Sequence, residues 1–409
     1  MNKHLMGSSV SALVEESKLY PQEKLAAIRT SNKSLNIGIP KENSTYENRV
    51  PLTPKAVGAL TNQGHKVLIE SGTGNAANFF DKEYTEAGAN ITKSASEVFK
   101  SDIIIKVEFP TKKEIEMMSM GKTIISTIHA DKDLGQRLSL LNQKKATSIG
   151  YEFIEDQIGG LPIVRAMSEI VGAVVIPTAA EYLTTNQGGI GIILGGITGV
   201  PPTNVVILGA GTVAEYAART ALGLGASVKV FDKHLYKLHR LKHILSSPIF
   251  TSTIDQVALK KALMEADVVI GAVRADKGVL KKIVSEDMVK AMKSSAVVVD
   301  VSIDEGGCFE TSRPTNLKSP VFEKFGVKHY CVPNIASKVP RTSTKVLSNI
   351  FTPILNSIAH NGGVDQMIFE NKWFMKGVYT YKGYMTNYHL SEKFKLRFKD
   401  LNLLMAARF

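Results

Sequence analysis

Four polar side chains stand at or near the ends of predicted strands, and their types suit chemistry on a small carboxylate. Lys106 ends the apolar run DIIIK, His129 ends TIISTIH, Asp304 follows AVVVDVSI, and Arg49 lies in the loop ENRVPLTP. Arginine binds a carboxylate through two hydrogen bonds, lysine donates to a carbonyl or carboxylate, and histidine transfers protons near neutral pH. Because ligands of open α/β sheets bind beyond the carboxyl ends of the strands, these residues are expected to converge on one cleft.

Each of these four residues also has a structural interpretation that the sequence leaves open. A histidine at a strand end is often a satisfied structural residue, and an arginine or lysine in a loop is often a solvated charge. The aspartate before EGG equally fits a turn or a helix cap. The spacing alone therefore indicates a candidate site without defining one.

The stretch VVILGAGTVAEYAART predicts a strand, a glycine turn and a helix of the kind that binds a dinucleotide. Gly209 permits the tight turn, Gly211 lets the backbone approach a pyrophosphate, and Ala214 replaces the third glycine, which packs the helix on the strand. Asp232 ends the next predicted strand, where a carboxylate binds ribose hydroxyls and repels a 2′-phosphate. The pattern predicts NAD as the cofactor. Lys233 and Lys237 keep NADP open as one alternative, and an α/β domain without a cofactor is the other.

Two successive series of apolar strands alternate with helical patterns along the chain. The first contains LNIGIP, HKVLIESG, DIIIKVEF, TIISTIH and ATSIGYEFI, and the second contains NVVILGAG, SVKVFD, ADVVIGAV and AVVVDVSI. This alternation predicts an α/β fold of two Rossmann-like domains with parallel sheets. A long helix over SEIVGAVVIPTAAEYL is expected to be kinked or interrupted near Pro177, and another over 340–360 is expected to pack back on the first series.

These patterns predict the domain organisation. Residues 1–34 form an N-terminal extension, residues 35–166 and 334–409 form a discontinuous substrate domain, and residues 167–333 form the NAD-binding domain inserted into it. The two domains are expected to close over the cofactor, because water must be excluded until the hydride moves. The expected hinges lie near residues 165–168 and 333–337.

The composition is typical of a soluble globular protein. The formal net charge of +12 admits anionic partners, but no nucleic-acid-binding module is recognisable in the sequence. The longest apolar run is too short and too rich in glycine to span a bilayer, and Cys308 and Cys331 lack both a disulfide framework and metal-ligand spacing. The sequence therefore predicts a cytoplasmic enzyme without a nucleic-acid, membrane or metal partner.

A set of ordered segments resembles the alanine dehydrogenase family, which is related to the NAD-binding subunit of proton-translocating transhydrogenase. The matching segments are IGIPKE, ENRVPLTP, GHKVLIESGTG, IIKVEFP, MSEIVG, GGITGVPPTNVVILGAG, VVVDVSIDEGGCFETSRPT, HYCVPN and VPRTST. The chain departs from the family at IHADKD, at Ala214, at Pro333 and at Arg165, which is interpreted as an additional cation near the cleft. These departures indicate a divergent branch, whose substrate can differ from alanine.

The resemblance implies a role for each candidate residue. Arg49 and Lys106 are implied to bind the substrate, His129 to donate and accept protons, and Asp304 to assist the addition of ammonia or water. The positions implied to contact the cofactor are Ser168, Gly209, Gly211, Thr212, Val213, Asp232, Lys237, Val273, Arg274, Val301, Ser302, Ile303, Arg313, Val332, Pro333, Asn334 and Ile335.

The family implies reversible oxidative deamination of L-alanine to pyruvate and ammonium, with hydride transfer to NAD, in a homo-oligomer that is often a hexamer. Two alternatives stay open at this point. One is an NAD-binding, transhydrogenase-like subunit without substrate chemistry of its own, and the other is a dehydrogenase for another amino acid or an opine. The chain retains all four candidate site residues, which favours the enzyme.

Overall fold

The computed structural model describes residues 33–43, 47–128, 132–156, 158–245, 247–274 and 281–406 of the 409-residue chain. Residues 1–32 of the predicted N-terminal extension and the predicted site residue His129 lie outside this part of the chain. The described residues form two sheets with helices packed on them.

The strands are β1 Asn36–Ile39, β2 Lys66–Glu70, β3 Asn90–Thr92, β4 Ile103–Ile105, β5 Thr123–Ser126, β6 Thr147–Gly150, β7 Asn204–Leu208, β8 Ser227–Phe231, β9 Phe250–Ser252, β10 Val268–Gly271, β11 Val297–Asp300, β12 Val321–Lys324, β13 Val327–Tyr330, β14 Val378–Tyr381 and β15 Tyr384–Met385.

The α-helices are α1 Pro54–Asn62, α2 Asp81–Glu86, α3 Ala95–Val98, α4 Lys112–Met117, α5 Leu134–Gln143, α6 Pro162–Leu183, α7 Thr212–Gly223, α8 Leu235–Ile244, α9 Gln256–Glu265, α10 Glu286–Lys290, α11 Pro340–His360, α12 Val364–Glu370, α13 Lys372–Met375, α14 Tyr388–Phe394 and α15 Leu401–Ala406. The 3₁₀ turns are Asn75–Ala77, Tyr151–Phe153, Thr185–Gln187, Val301–Glu305 and Ile335–Lys338.

Among the described residues, the first sheet has the strand order β15-β14-β6-β5-β4-β1-β2-β3, and the second has the order β12-β13-β11-β10-β7-β8-β9. β1 to β6 pair in parallel, as do the neighbours from β13 to β9. The expected parallel sheets are therefore present. At one edge of each sheet, antiparallel strands are added: β14 and β15 in the first and β12 in the second.

The C-terminal part of the chain returns to the first sheet. β14 pairs with β6, and one face of α11 buries Leu347, Phe351, Leu355 and Ile358 in the same hydrophobic core as β1, β2 and β4. These side chains recur at the three- and four-residue spacing of a helix with one apolar face. The predicted packing of 340–360 against the first series is what the structure shows, whereas the exact domain boundaries stay a prediction.

Polar side chains of α11 fix the loop before α1. The hydroxyl of Thr344 accepts a hydrogen bond from the backbone N–H of Val50 (3.1 Å), and that of Ser348 accepts one from the N–H of Thr53 (3.0 Å). The hydroxyl of Thr53 in turn caps α1 by accepting from the N–H of Ala56. The loop that contains Arg49 is therefore fixed to α11 by these two hydrogen bonds and to α1 by the helix cap.

Helix α6 connects the two sheets and runs through Pro177 as one continuous α-helix. Of the two expectations for this position, the interruption was wrong and the kink stays a prediction. Within the described residues it is the one helix long and apolar enough to cross a membrane by length and composition alone. It packs closely against α7. At Gly172, an added Cβ would lie 2.5 Å from the carbonyl oxygen of Val213 and 2.7 Å from the Cβ of Tyr216.

We expect Gly172→Ala to lower the free energy of unfolding by about 1–3 kcal/mol, because a methyl group must push α6 away from the backbone of α7. Gly223→Ala is the matched control, since a Cβ at this exposed helical position meets no atom within 4 Å. It should raise the free energy of unfolding by about 0.4–1 kcal/mol. Urea unfolding of both variants measures the difference, and equal effects would contradict the close approach at Gly172.

Candidate active site

A cavity of about 490 Å³ lies between the carboxyl ends of the two sheets. The residues lining it from the first half of the chain follow β-strands or belong to the start of α6: Arg49, Glu108, Thr127, Tyr151, Glu152, Ile163, Val164, Met167, Ser168 and Val171. The residues lining it from the second half are Val213, Val301, Asp304, Thr315, Asn316, Val332, Pro333 and Asn334. Of the four residues predicted to converge on one cleft, Arg49 and Asp304 line this cavity.

The glycine turn at the end of β7 has the geometry that a bound pyrophosphate requires. Gly209 has φ +103°, and a Cβ there would lie 2.3 Å from the carbonyl oxygen of Ala272, so only glycine fits the turn. A Cβ at Gly211 would meet no atom within 4 Å, which leaves open space above the N-terminus of α7. Ala214 is fully buried against the core, as a residue at the third position must be. These residues fit a dinucleotide phosphate at the helix N-terminus.

Asp232 lies next to this turn and is buried. Its Oδ2 accepts a hydrogen bond from the N–H of Ala210 (2.7 Å), and its Oδ1 accepts one from the N–H of His234 (2.7 Å). A carboxylate oxygen accepts more than one hydrogen bond, so each oxygen retains capacity for a ribose hydroxyl. The position of the carboxylate is therefore fixed before any cofactor binds.

The other predicted cofactor positions divide into three groups. Ser168, Val213, Val301, Val332, Pro333 and Asn334 line the cavity, and Ile335 lines a smaller cavity beside it. Thr212 begins α7, Lys237 lies in the first turn of α8, Ile303 is buried, and the hydroxyl of Ser302 bridges the backbone N–H and carbonyl of Val273. Arg274 pairs with Glu305, and Arg313 stacks on the ring of Phe322, both at exposed positions outside the cavity lining.

Arg49 is buried and held by a neighbouring carboxylate, that of Glu47. The Nε of Arg49 donates to Oε1 of Glu47 (2.7 Å), and Nη2 donates to Oε2 (2.6 Å). Burial alone would raise the pKa of Glu47. The adjacent guanidinium of Arg49 nevertheless holds this pKa below its ordinary value. Nη1 points to the sulfur of Met167 in α6, at 3.4 Å. The outer Nη1–Nη2 edge of Arg49 is the part that faces the cavity wall formed by α6.

Lys106 is buried beside two carboxylates, those of Glu42 and Glu114. Its Nζ is buried and lies 3.0 Å from Oε1 of Glu114 and 3.2 Å from Oε2 of Glu42. Burial lowers the pKa of Lys106, but the two carboxylates together raise it above its ordinary value. Burial also raises the pKa of Glu42 to about 7. Lys106 is not among the described residues that line the cavity, so its role in substrate binding stays a prediction.

Asp304 joins Arg49 in the cavity, whereas Arg165 does not. Asp304 belongs to the 3₁₀ turn Val301–Glu305, which follows β11 at the carboxyl end of the second sheet. Arg165 lies on the exposed side of α6 and pairs with Glu169 (3.4 Å), outside the cavity lining, so its interpretation as a cation near the cleft stays a prediction.

Glu152 is a cavity residue that sequence analysis missed. It follows β6, and its Oε1 accepts a hydrogen bond from the N–H of Ile128 (2.6 Å), the residue before His129. Its Oε2 is buried and has no hydrogen-bond partner among the described residues. Burial raises the pKa of Glu152 to about 7. The strand-end rule did not select Glu152, because the predicted strand ATSIGYEFI contains it, whereas β6 ends at Gly150 and leaves Glu152 just beyond the strand.

Glu152→Gln tests this buried carboxyl through the pH dependence of stability. Because the pKa of Glu152 is raised from 4.5 to about 7 by folding, the native state holds a proton that the unfolded state has lost between these values. Stability therefore falls as pH rises from about 4.5 to about 7, and the glutamine variant escapes this loss. Relative to the wild type, we expect the variant to gain about 1–3 kcal/mol between pH 5 and pH 8.

Urea unfolding at both pH values measures this gain, and Glu116→Gln on the exposed side of α4 is the control. A difference between Glu152→Gln and wild type that is the same at pH 5 and pH 8 would contradict the assigned titration.

Comparison with known protein families agrees with the two-part architecture. The family description "Alanine dehydrogenase/PNT, N-terminal domain" matches residues 38–171, and "Alanine dehydrogenase/PNT, C-terminal domain" matches residues 174–388. Together they include both sheets and the whole lining of the cavity.

Two curated relatives and two solved structures show how far the similarity extends. An alanine dehydrogenase of Methanococcus maripaludis is 41% identical over 352 residues, 86% of this chain and 94% of that protein. Alanine dehydrogenase 2 of Staphylococcus aureus is 36% identical over 368 residues, 90% of this chain and 98% of that protein.

A solved L-alanine dehydrogenase superposes with a TM-score of 0.82 at 34% identity, covering 88% of this chain and 99% of its own. A transhydrogenase from Sinorhizobium meliloti shares the fold, with a TM-score of 0.74 at 20% identity over 86% of this chain and 99% of its own. The predicted α/β fold and the prediction of an NAD-dependent oxidoreductase are confirmed. The chain belongs to the alanine dehydrogenase/PNT family.

Proposed function

We propose that this protein catalyses the reversible oxidative deamination of L-alanine to pyruvate and ammonium with NAD. The observation that carries the proposal is the charge around the cavity. Among its described lining residues, Arg49 provides the positive charge, and Glu108, Glu152 and Asp304 provide carboxylates. A zwitterionic amino acid presents one carboxylate and one ammonium group, which matches this arrangement. The relatives named alanine dehydrogenase, 36–41% identical, supply the specific amino acid.

Arg49 orients the substrate in this proposal. Glu47 already holds Nε and one side of Nη2, so the substrate carboxylate binds at the outer Nη1–Nη2 edge. A planar guanidinium fixed on one side by a carboxylate loses little freedom when it binds a second one on the other side. Holding the carboxylate in this way sets the direction in which the Cα–H bond points.

NAD supplies the hydride acceptor when it is bound, and the protein supplies position and charge. Gly209, Gly211 and the N-terminus of α7 would hold its pyrophosphate, and Asp232 its adenosine ribose. His129 is assigned the transfer of protons. Asp304 is assigned the orientation of water at the imine carbon in deamination, and of ammonia at the keto carbon of pyruvate in amination. The remaining cofactor positions and Lys106 keep the roles that the family resemblance implies.

Oxidation of NADH by purified full-length protein tests the proposal. We expect absorbance loss only when pyruvate and ammonium are both present, with no partner protein added. Turnover with a different oxo acid or with an amine in place of ammonium would assign another amino-acid or opine dehydrogenase. Binding of NADH without turnover on any of these would favour a transhydrogenase-like binding subunit.

Arg49→Lys in the same assay locates the substrate carboxylate. The lysine keeps a cation beside Glu47 but lacks the planar fork, so kcat/KM for pyruvate should fall about 10²- to 10³-fold. Arg341→Lys is the matched control, because Arg341 stacks on Phe79 away from the cavity. Equal losses in kcat/KM for pyruvate and in NADH affinity would count against this role of Arg49.

Asp232→Asn tests the choice between NAD and NADP. Removing the negative charge removes its repulsion of a 2′-phosphate, so the ratio of kcat/KM for NADH to that for NADPH should fall at least about 10-fold, the equivalent of 1.4 kcal/mol. Asp267→Asn is the control: its Oδ2 also accepts a backbone N–H, from Asn204, but at the opposite end of the second sheet. An unchanged ratio in Asp232→Asn would remove Asp232 from cofactor selection.

We also propose that the protein is a cytoplasmic homo-oligomer, with a hexamer as the form the family resemblance implies. The segment after α6 supports self-association, because Ile190, Ile193, Ile197 and Val200 are all more than half exposed. Light scattering on the purified protein measures its mass in solution.

A further inference from the structure

Glu47 links the proposed substrate arginine to a residue from the other half of the chain. The side chain of Glu47 is fully buried, and both of its oxygens accept hydrogen bonds. Oε1 accepts from the backbone N–H of Arg49 (2.9 Å) and from its Nε, while Oε2 accepts from Nη2 and from Nδ2 of Asn334 (2.5 Å). One carboxylate therefore connects Arg49 directly to Asn334.

Asn334 stands where the chain leaves the second sheet. It lies between the end of β13 and the 3₁₀ turn Ile335–Lys338, which leads into α11. Its backbone is left-handed, with φ 57° and ψ 49°, a conformation that asparagine adopts more readily than most residues. The surrounding structure thus fixes this position in the segment through which the chain returns to the first sheet.

Arg49 also contacts the other connection between the two sheets. Its Nη1 lies 3.4 Å from the sulfur of Met167, near the start of α6. The two sheets are joined covalently by α6 and by the segment that contains Asn334. Arg49 therefore contacts both connections between the sheets. It contacts α6 directly through Met167, and it contacts the segment of Asn334 through Glu47.

Further hydrogen bonds attach the same loop to the return segment. The backbone N–H of Asn48 donates to the hydroxyl of Ser337 (2.8 Å), and its side-chain amide donates to the carbonyl of Ser337 (3.4 Å). A rotation of the second sheet relative to the first must move Asn334 against this loop or break its bond to Glu47. The orientation of the guanidinium and the relative position of the two sheets are thus parts of one network.

We propose that Glu47 is a positioning residue that couples the substrate-binding edge of Arg49, through Asn334, to the position of the cofactor-binding sheet. This inference rests on the proposed role of Arg49. Binding of the dinucleotide then favours the arrangement in which Arg49 accepts a carboxylate, and binding of the carboxylate favours the dinucleotide by the same factor. A Glu47 that only neutralised Arg49 would produce no such coupling.

The test compares the dissociation constant of NADH with and without saturating pyruvate, in the absence of ammonium so that no amination occurs. NADH fluorescence of the full-length protein provides the readout. For wild type we expect pyruvate to tighten NADH binding at least about 5-fold, within the usual range of coupling between two sites. The ratio of the two constants is used because Asn334 itself lines the cavity, and its substitution can change NADH affinity alone.

Asn334→Gly is the principal variant, because glycine accepts the left-handed backbone and the substitution removes only the side-chain amide. It leaves the Glu47–Arg49 ion pair in place, and we expect its coupling ratio to fall to within twofold of one. Glu47→Gln should reduce the ratio in the same way and also raise KM for pyruvate about 10-fold or more. Asn316→Ala is the control, since Asn316 lines the same cavity and, among the described residues, its side chain accepts hydrogen bonds from Lys318 and Ser319 of its own turn.

The outcomes separate this inference from the proposed function. Coupling in wild type and Asn316→Ala that is lost in Asn334→Gly and Glu47→Gln supports the inference. Coupling that persists in Asn334→Gly overturns it, as does wild-type turnover of pyruvate and ammonium without any coupling, and both results leave the proposed function standing. A wild-type protein that neither binds nor turns over pyruvate removes the proposed function, and the inference with it.

Discussion

A cation buried away from water must be paired, and the partners that it finds decide what chemistry is left to it. Arg49 and Lys106 come from the same half of the chain, and both are buried. Arg49 has one carboxylate partner on one side of its guanidinium, and on its outer edge Nη1 contacts only the weakly accepting sulfur of Met167 among the described residues. The single ammonium of Lys106 lies between two carboxylates, and Lys106 is not among the described residues that line the cavity. Of these two paired cations, Arg49 lines the cleft and Lys106 does not.

The cleft itself follows from how the two sheets are joined. α6 and the segment before α11 bring the carboxyl ends of β5 and β6 opposite those of β7 and β11. Because α6 and α7 approach closely at Gly172, the N-terminus of α7 lies directly beside this cavity. A cofactor held at the glycine turn therefore extends toward the same space that the lining carboxylates and Arg49 enclose.

The cavity is lined by one arginine and three acidic residues, and one of these, Glu152, has a buried carboxyl oxygen. Burial raises the pKa of Glu152 to about 7, so this carboxyl changes its charge close to neutral pH. Its hydrogen bond to the N–H of Ile128 also ties the strand end before His129 to the wall of the cleft. An amino-acid substrate needs both a fixed cation for its carboxylate and acidic groups near its nitrogen, and the two occur here together.

The sequence alone was sufficient for the features that depend on local order. The strand positions, the glycine turn with Ala214 at its third position, helix α11 and the approach of Arg49 and Asp304 to one cleft could all be predicted. Each depends on neighbouring residues, on hydrophobic periodicity or on the rule that strand ends form the site. The family resemblance followed from segments that are themselves continuous in sequence.

Tertiary structure decided the features that depend on distant partners. β14 joins β6 across more than 200 residues, with an antiparallel direction that no local pattern specified. Glu114 forms an ion pair with Lys106, and Asn334 donates a hydrogen bond to Glu47, which is 287 residues away in the sequence. Only folding brings these groups into contact. Local sequence sets which elements form and which charges they carry. The partners of a buried charge are set only by three-dimensional packing, because burial and distance together determine which pairings compensate for lost hydration.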